Sequence, residues 1–434
     1  MKLNEQIKKS FIFHGLPCIC FDSLYVLFDP INLKMCAFTN VEELYESFTI
    51  SYLNDLGFFL DPVPCSLELN EKSITLILTT DCNLACPYCY TNSKINSIYL
   101  DPIIAISILN SEIDKNKPLY IQYFGGEPTL NFECIKVVTD FVIKKHSDPF
   151  FYITTNGVMS DKILNYLLDK AFAFYLSIDG TEEYHNRNRY LRYGNAGSYN
   201  QVIYTLKKIL SHNLSVKVRC TVTDSNINNM FDFAKNMFDL GVKILHFCPK
   251  INIGLGATTK QQINQEEFQN SFIENLDNIF NLAKEKNARV ITPATLAIGQ
   301  PLTSYCKIFT TNNKILITPD GKRTLCFGAQ DEYNPISNSF IYADFDLTNK
   351  EFIMRKGIKE SLFQGYQKNL TKCKSCFAKF MCQGGCLAEN LTLSGKVDIL
   401  NDTWCQMHRK LWYLVITRIF KNSIKIGNKT CGKS

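Results

Sequence analysis

Cys82, Cys86 and Cys89 fall within eight residues of "LTTDCNLACPYCYTN", just after a short apolar run. A disulfide takes two thiols and a structural zinc site usually takes four ligands, so three thiols suit neither. Three closely spaced thiolates on a loop suit three corners of a cubane iron–sulfur cluster, with the fourth iron left open to a small molecule. The plainer alternative is a zinc knuckle. A second cysteine field lies far downstream: Cys306, then Gly321-x4-Cys326, then Cys373-x2-Cys376-x5-Cys382-x3-Cys386, and finally Cys405. By spacing alone that run is a zinc ribbon or a ferredoxin-like site. These two fields take ten of the 18 cysteines. The other eight (Cys18, Cys20, Cys36, Cys65, Cys134, Cys220, Cys248 and Cys431) are scattered, and most are expected to be small buried hydrophobes.

Two further stretches carry chemistry-bearing residues. "GGEP" at 125–128 joins Gly125 and Gly126, which let backbone approach a ligand closely, to Glu127, which can accept from a ligand amine, and Pro128. "LSIDG" at 176–180 supplies Ser177 and Asp179, and "HNRNR" after it supplies Arg189. An arginine there suits a planar two-point contact with a carboxylate, the alternative being a surface salt bridge.

The elements that must position these groups repeat along the chain. "SITLILTT", "PLYIQYFG", "FFYITTNG", "AFAFYLSIDG", "SVKVRCTVT" and "VKILHFCPK" read as strands, with helical stretches such as "PIIAISILNSEI" between them. Near-continuous apolar runs predict strands covered on both faces. Six βα units predict a parallel sheet with right-handed crossovers, curled into a partial barrel. The motifs then fall at the C-terminal strand ends, where such folds gather their chemistry. Ahead of the barrel, "SLYVLFDPINLKMCAFT" predicts two strands around a turn and "NVEELYESFTISYLNDLGF" a helix. After about residue 295 come strand-like "KILITPDGKRTLCF", a cysteine-dense stretch with few regular elements and a closing helix near 402–421. Four segments result: a small α+β unit (1–72), the partial barrel (73–295), a cysteine-rich domain (296–421) and a basic, frayed tail (422–434).

The bulk composition bounds the rest. The 434 residues, 46% hydrophobic, suffice for two or three domains. A net charge of +6 is mild for this length and gives no expectation of nucleic-acid binding. The opening apolar stretch is broken by His14, Gly15 and Pro17 and does not read as a signal peptide; no run is long enough to span a bilayer. The expected location is cytoplasmic. There oxidised pairs are not expected, and cysteine points to metal or redox use.

CX3CX2C after a first strand, with Tyr88 before the last cysteine, resembles the radical S-adenosylmethionine (SAM) superfamily, and "GGEP" and "SIDG" follow at matching positions. The second field resembles that family's SPASM extension, so the resemblance covers roughly residues 73–410. It implies a partial (β/α)6 barrel carrying a 4Fe–4S cluster on Cys82, Cys86 and Cys89. SAM would contact Gly125, Gly126, Glu127 and Pro128 through its amino group, Ser177 through ribose or carboxylate, and Arg189 through its carboxylate, with Asp179 also in the cofactor-binding set. It also implies reductive cleavage of SAM to a 5′-deoxyadenosyl radical that abstracts hydrogen from an unactivated carbon. The SPASM wiring implies two auxiliary clusters, expected as 4Fe–4S: one on Cys373, Cys376, Cys382 and Cys405, the other on Cys306, Cys326 and Cys386. The second set is one thiol short. Either a group outside the motif (Cys248, an Asn or an Asp) completes it, or the cluster is smaller, or an iron stays open for a substrate thiolate.

SPASM proteins mostly modify polypeptides, and the early residues resemble the precursor-binding unit of ribosomal-peptide maturases, a three-stranded sheet that takes a leader peptide as an added strand. A hairpin that merely caps the barrel is the alternative. The resemblance thus implies a maturase that modifies a precursor peptide, forming a thioether from a Cys sulfur, with flavodoxin or ferredoxin as electron donor. A sulfatase-maturating, formylglycine-forming enzyme is the second reading; its pattern has Asp where this chain has Phe327. A non-catalytic iron–sulfur carrier or sensor is the reading from another class. Spacing selects no catalytic base.

Overall fold

The structure is a computed structural model that describes residues 3–30, 34–45, 53, 71–91, 97–259, 263–295 and 313–430. Cys65, Cys306 and Cys431 lie outside the described residues, as does most of the helix expected over 40–58. His14–Gly15 and Asp22–Ser23 take left-handed backbone angles (φ 43° and 87°, 45° and 68°). Positive φ at both central residues gives tight hairpins whose twist matches that of the flanking strands. These turns join β1 (Phe11–Phe13), β2 (Leu16–Phe21) and β3 (Leu24–Asp29); β4 (Lys34–Phe38) completes a four-stranded antiparallel sheet in the order 1-2-3-4. Two strands were expected here, and the turn chemistry of "FHGL" and "FDSL" adds the other two. Ile19, Val26 and Phe28 face the main core, while Cys18 and Leu27 face a smaller cluster with Phe13, Leu44 and Leu53.

All six expected barrel strands are present: β5 (Lys72–Ile77), β6 (Leu119–Phe124), β7 (Pro149–Thr155), β8 (Ala173–Ser177), β9 (Val216–Val222) and β10 (Ile244–Pro249). They pair in parallel in sequence order, and a short seventh strand, β11 (Arg289–Ile291), extends the series. Helices cross between them; Asp101 caps one, Pro102–Glu112, by accepting from the Ile103 and Ile104 N–H groups. Ile74–Ile77 of β5 are buried on both faces as expected, but most of the other strands are not. In β9 buried Val216, Val218, Cys220 and Val222 alternate with half-buried Lys217, Arg219 and Thr221. The outward face packs under helices, and the inward face is polar, as in the row Thr75–Gln122–Thr154 (2.9 and 3.1 Å).

The C-terminal region is more regular than its composition implied. β12 (Lys314–Ile317) pairs in parallel with β5, and β13 (Arg323–Thr324), β14 (Ile341–Asp346) and β15 (Glu351–Met354) follow antiparallel, so one eleven-stranded sheet runs from barrel into cysteine-rich region. Helices Ile358–Lys372 and Leu387–Ser394 pack beside it. The closing helix runs Asp402–Thr430, past the expected end near 421 and through much of what read as a frayed tail. It binds the first sheet to the barrel: the Tyr413 hydroxyl donates to Gln6 Oε1 at 2.7 Å and to the Cys20 carbonyl at 3.1 Å. Among the described residues no helix is long and apolar enough to cross a membrane.

Candidate active site

The loop after β5 carries Cys82, Cys86 and Cys89, and its path is held on three sides. The Gly126 and Glu127 N–H groups donate to the Thr79 and Asp81 carbonyls (2.8 and 2.7 Å). Ala85 N–H donates to the Tyr190 carbonyl at 3.0 Å, and Leu255 N–H to the Cys89 carbonyl at 2.9 Å. Asp81 anchors the loop's start by accepting from Arg192 Nη1 and the Tyr99 hydroxyl, both at 2.7 Å. A Cβ on Gly125 would stand 2.5 Å from the Thr79 carbonyl oxygen, and one on Gly126 2.1 Å from that of Asp81. The two glycines therefore serve the approach of "GGEP" to the cysteine loop as well as opening room for a ligand.

The three cysteines line one cleft of about 880 Å3, open mouth included. Gly125, Gly126, Ser177 and Arg189 line it from the ends of β6, β8 and the segment beyond. Glu127, Pro128 and Asp179 stand behind that lining. Fully buried Glu127 spends its carboxylate inside the protein, accepting from Thr129 N–H, the Thr129 and Thr155 hydroxyls and Asn156 N–H (3.2, 2.7, 2.7 and 2.7 Å). Burial raises its pKa, and these donors oppose the rise by favouring the charged form. The expected role in accepting a ligand amine thus gives way to bracing: Glu127 ties β6 to β7. Asp179 is also fully buried; it accepts from Thr221 N–H at 2.8 Å and from the Tyr88 hydroxyl, and its Oδ2 lies 2.8 Å from Arg189 Nε. Arg189 is accordingly a buried, oriented cation rather than a surface salt-bridge partner, its guanidinium 5.7 Å from the Tyr88 ring centroid. Cys86 is pushed up to about 12 by burial, against the pull of Arg189. A cluster iron reverses that, since a coordinating thiol gives up its proton.

Several lining residues were not singled out in the sequence. Asn156, in the "TTNG" that closes β7, donates from Nδ2 to Asn83 Oδ1 at 2.7 Å and lies 3.7 Å from Cys82 Sγ. Arg219 and Tyr90 also line the cleft, as does Cys248, which the sequence offered only as a ligand to complete the second field. For Asn156 and Tyr90 the one sequence signal was position just beyond a strand or in the cysteine loop; Arg219, mid-strand in β9, carried none. Tyr90 lies within electrostatic reach of Cys89, Cys248, Arg219 and Cys326, so it stands between the first cysteine loop and the second field.

That second field divides in two. Cys382 is pushed well up by burial and by Cys405, Cys376 and Cys373, which places these four thiols near one another. Gln383, Gly384 and Gly385 then take left-handed angles (φ 55°, 78° and 77°) and turn the chain. Beyond the turn, Cys386 packs with Cys326, Tyr90 and Ile251 against a different apolar cluster from the one that holds Cys376 and Cys382. Among the described residues no group of three or more His, Cys, Asp or Glu is placed to hold a single metal ion. A cluster, with one thiolate at each iron, spaces its ligands more widely than one ion does.

Residues 76–235 match the sequence family described as the radical SAM superfamily. This segment is a radical SAM domain. Over 194 residues the chain is 34% identical to the radical SAM cyclopropyl synthase TigE of Paramaledivibacter caminithermalis, across 38% of this chain and 39% of TigE. Among solved structures it resembles anSMEcpe with bound AdoMet (TM-score 0.65, 17% identity, 82% of this chain and 96% of that one). It also resembles SuiB of Streptococcus suis bound to the precursor peptide SuiA (TM-score 0.57, 14% identity, 92% and 100%). At these identities the two structures show a shared fold. The chain spans 62% and 39% of the length of the first two curated relatives it matches. The radical SAM domain places its three cysteines, glycine pair and arginine around one cleft, a donor set that fits three irons of a cubane and a small zwitterionic ligand.

Proposed function

We propose that the protein is a radical SAM peptide maturase that modifies a ribosomally made precursor, joining a Cys sulfur to a carbon as a thioether. The convergence of Cys82, Cys86 and Cys89 with Gly125, Gly126, Ser177 and Arg189 on one cleft carries this reading. Bound there, a 4Fe–4S cluster and SAM supply a 5′-deoxyadenosyl radical. The chain's own part is binding, orientation and exclusion of water. The three thiolates hold the cluster, Asp179 fixes Arg189 for the SAM carboxylate, and Leu84, Phe124 and Ile251 wall the cleft with apolar surface. Cys373, Cys376, Cys382 and Cys405 would hold one auxiliary cluster; Cys306, Cys326 and Cys386 would hold the other. We place the substrate's cysteine on the Cys326 side of Tyr90, where the donor set is one thiol short. An external one-electron donor, a flavodoxin or ferredoxin, supplies the reducing electron.

The first 72 residues would bind the precursor. In the four-stranded sheet β1 and β4 are the outer strands, and an extended leader adds to such an edge through main-chain hydrogen bonds. SuiB, whose fold extends over most of this chain, has been solved with its precursor peptide. The sulfatase-maturating reading is disfavoured by Phe327, whose ring packs 4.9 Å from that of Phe124 where the second reading calls for a carboxylate.

Anaerobic protein with SAM, dithionite and a Cys-bearing peptide encoded beside the gene tests the proposal. Loss of two hydrogens from the peptide, together with loss of one alkylatable thiol, is expected by mass spectrometry. A peptide aldehyde would favour the formylglycine reading, and an unmodified peptide beside steady 5′-deoxyadenosine would overturn the assignment of that peptide as substrate.

A further inference from the structure

A second cleft of about 480 Å3, open mouth included, lies between the end of β10 and the cysteine-rich region, and Pro249 lines both it and the first cleft. It contains an unusual pair of buried acceptors. Glu389, 1% exposed, accepts at Oε1 from the Asn252 N–H and Nδ2 (2.9 and 2.7 Å). Its Oε2 has no hydrogen-bond partner among the described residues. Gln269, fully buried, donates from Nε2 to the Thr403 carbonyl at 3.1 Å, which fixes the amide's orientation and leaves Oε1 likewise without a partner there. A buried acceptor left unsatisfied costs about 1–3 kcal/mol, so two in one cleft call for a donor.

The charge and shape of the cleft narrow the choice of donor. Asp224 and Glu389 bring carboxyl groups to the cleft and Lys250 an ammonium, and burial of Glu389 leaves a cationic donor the favoured partner for its charged form. Lys250 is already engaged, donating to the Gly256 and Thr259 carbonyls at 3.1 Å each. Phe268 and Met407 give the cleft apolar wall. A ligand with a cationic N–H head on a hydrocarbon stem answers all of these features, since such side chains lay their stems on apolar surface.

We propose that this cleft is a substrate subsite for a lysine or arginine side chain of the peptide, its head on Glu389 and Gln269 and its stem against Phe268 and Met407. The inference rests on the peptide-maturase reading for the identity of the chain that bears the cation. Because Pro249 is a shared wall, a peptide with its reacting residue in the first cleft presents a nearby side chain to the second.

The test is saturation-transfer NMR on the full, anaerobically reconstituted chain with Nα-acetyl-lysine methylamide and its norleucine counterpart. Binding of the lysine probe at millimolar concentration, at least fivefold stronger than the norleucine probe, is expected. Glu389→Gln, which keeps an oxygen for Asn252, should weaken the lysine probe at least fivefold. Equal binding of the two probes by the wild type, no binding of either, or an unchanged affinity in the variant would overturn the subsite; the two-probe comparison needs no variant to fold. Binding is read without turnover, so the two readings fail separately. A chain that makes 5′-deoxyadenosine yet ignores the lysine probe loses the subsite alone. A chain that binds the probe yet makes no 5′-deoxyadenosine loses the radical reading and keeps a cation site.

Discussion

The two cysteine fields differ in what surrounds them. Cys82, Cys86 and Cys89 line a cleft beside an oriented arginine, with glycine backbone for a further wall. Cys373 and Cys382 are buried, and Cys376 and Cys405 stand with them, so that set of four closes on itself. The contrast teaches that ligand number and access go together. If each set holds a cubane as proposed, three thiols on a cleft leave one iron open to a ligand, whereas four thiols ligate every iron and suit a cluster that carries electrons.

The most severe way to break the comparison is to remove the open set. A Cys82, Cys86 and Cys89→Ala variant should lose 5′-deoxyadenosine formation down to background while keeping the iron of the auxiliary sites, about eight atoms per chain if both are cubanes. Mass spectrometry and an iron assay read both numbers. Next in size, Arg189→Met leaves the Asp179 carboxylate buried without its cation. A loss of about 3–5 kcal/mol in urea unfolding of the apo chain is expected, and SAM affinity should fall with it. The closed set gives the converse of the first variant. Cys382→Ala should lower iron by about four atoms per chain and leave SAM binding within about twofold of wild type.

The smallest effect is one of pH. Fully buried His185 sits behind the open site, its Nδ1 accepting from Asp179 N–H at 3.3 Å and its Nε2 paired with the Ser198 hydroxyl at 3.0 Å. Burial, helped by Arg189, holds its pKa down to about 3, from an ordinary 6.5. Its folded pKa is depressed, so its contribution is complete above pH 6.5 and is lost as pH falls from there toward 3. The slope is at most about 1.4 kcal/mol per pH unit. His185→Gln should flatten urea-derived stability between pH 6.5 and 5 by up to that slope, while His246 and His408, held down to about 3 and 4 by burial, keep the remainder.

Much of this was legible in the sequence because strand and motif coincide. β6, β7, β8 and β10 end at or just before Gly125, Asn156, Gly180 and Pro249, and the cysteine spacing is a local feature that no packing can alter. What escaped depended on the third dimension. Glu127 has the chemistry of a ligand contact, and only the fold reveals that Thr129, Thr155 and Asn156 use its oxygens first. β3 and β4 of the first sheet were legible, but β1 and β2 were hidden because His14–Gly15 and Asp22–Ser23 are less typical of such turns than Asn-Gly. The division of Cys382 from Cys386 depends on a left-handed turn over Gln383, Gly384 and Gly385; the two glycines mark a turn, but not which thiols it separates.

The open-versus-closed distinction is tested most directly by electron paramagnetic resonance of the dithionite-reduced protein with and without SAM. SAM should shift one signal in the wild type and nothing in the Cys82, Cys86 and Cys89→Ala variant. A SAM-induced shift that survives in the variant, or no shift in the wild type, would contradict the assignment of the open iron to the first cysteine field.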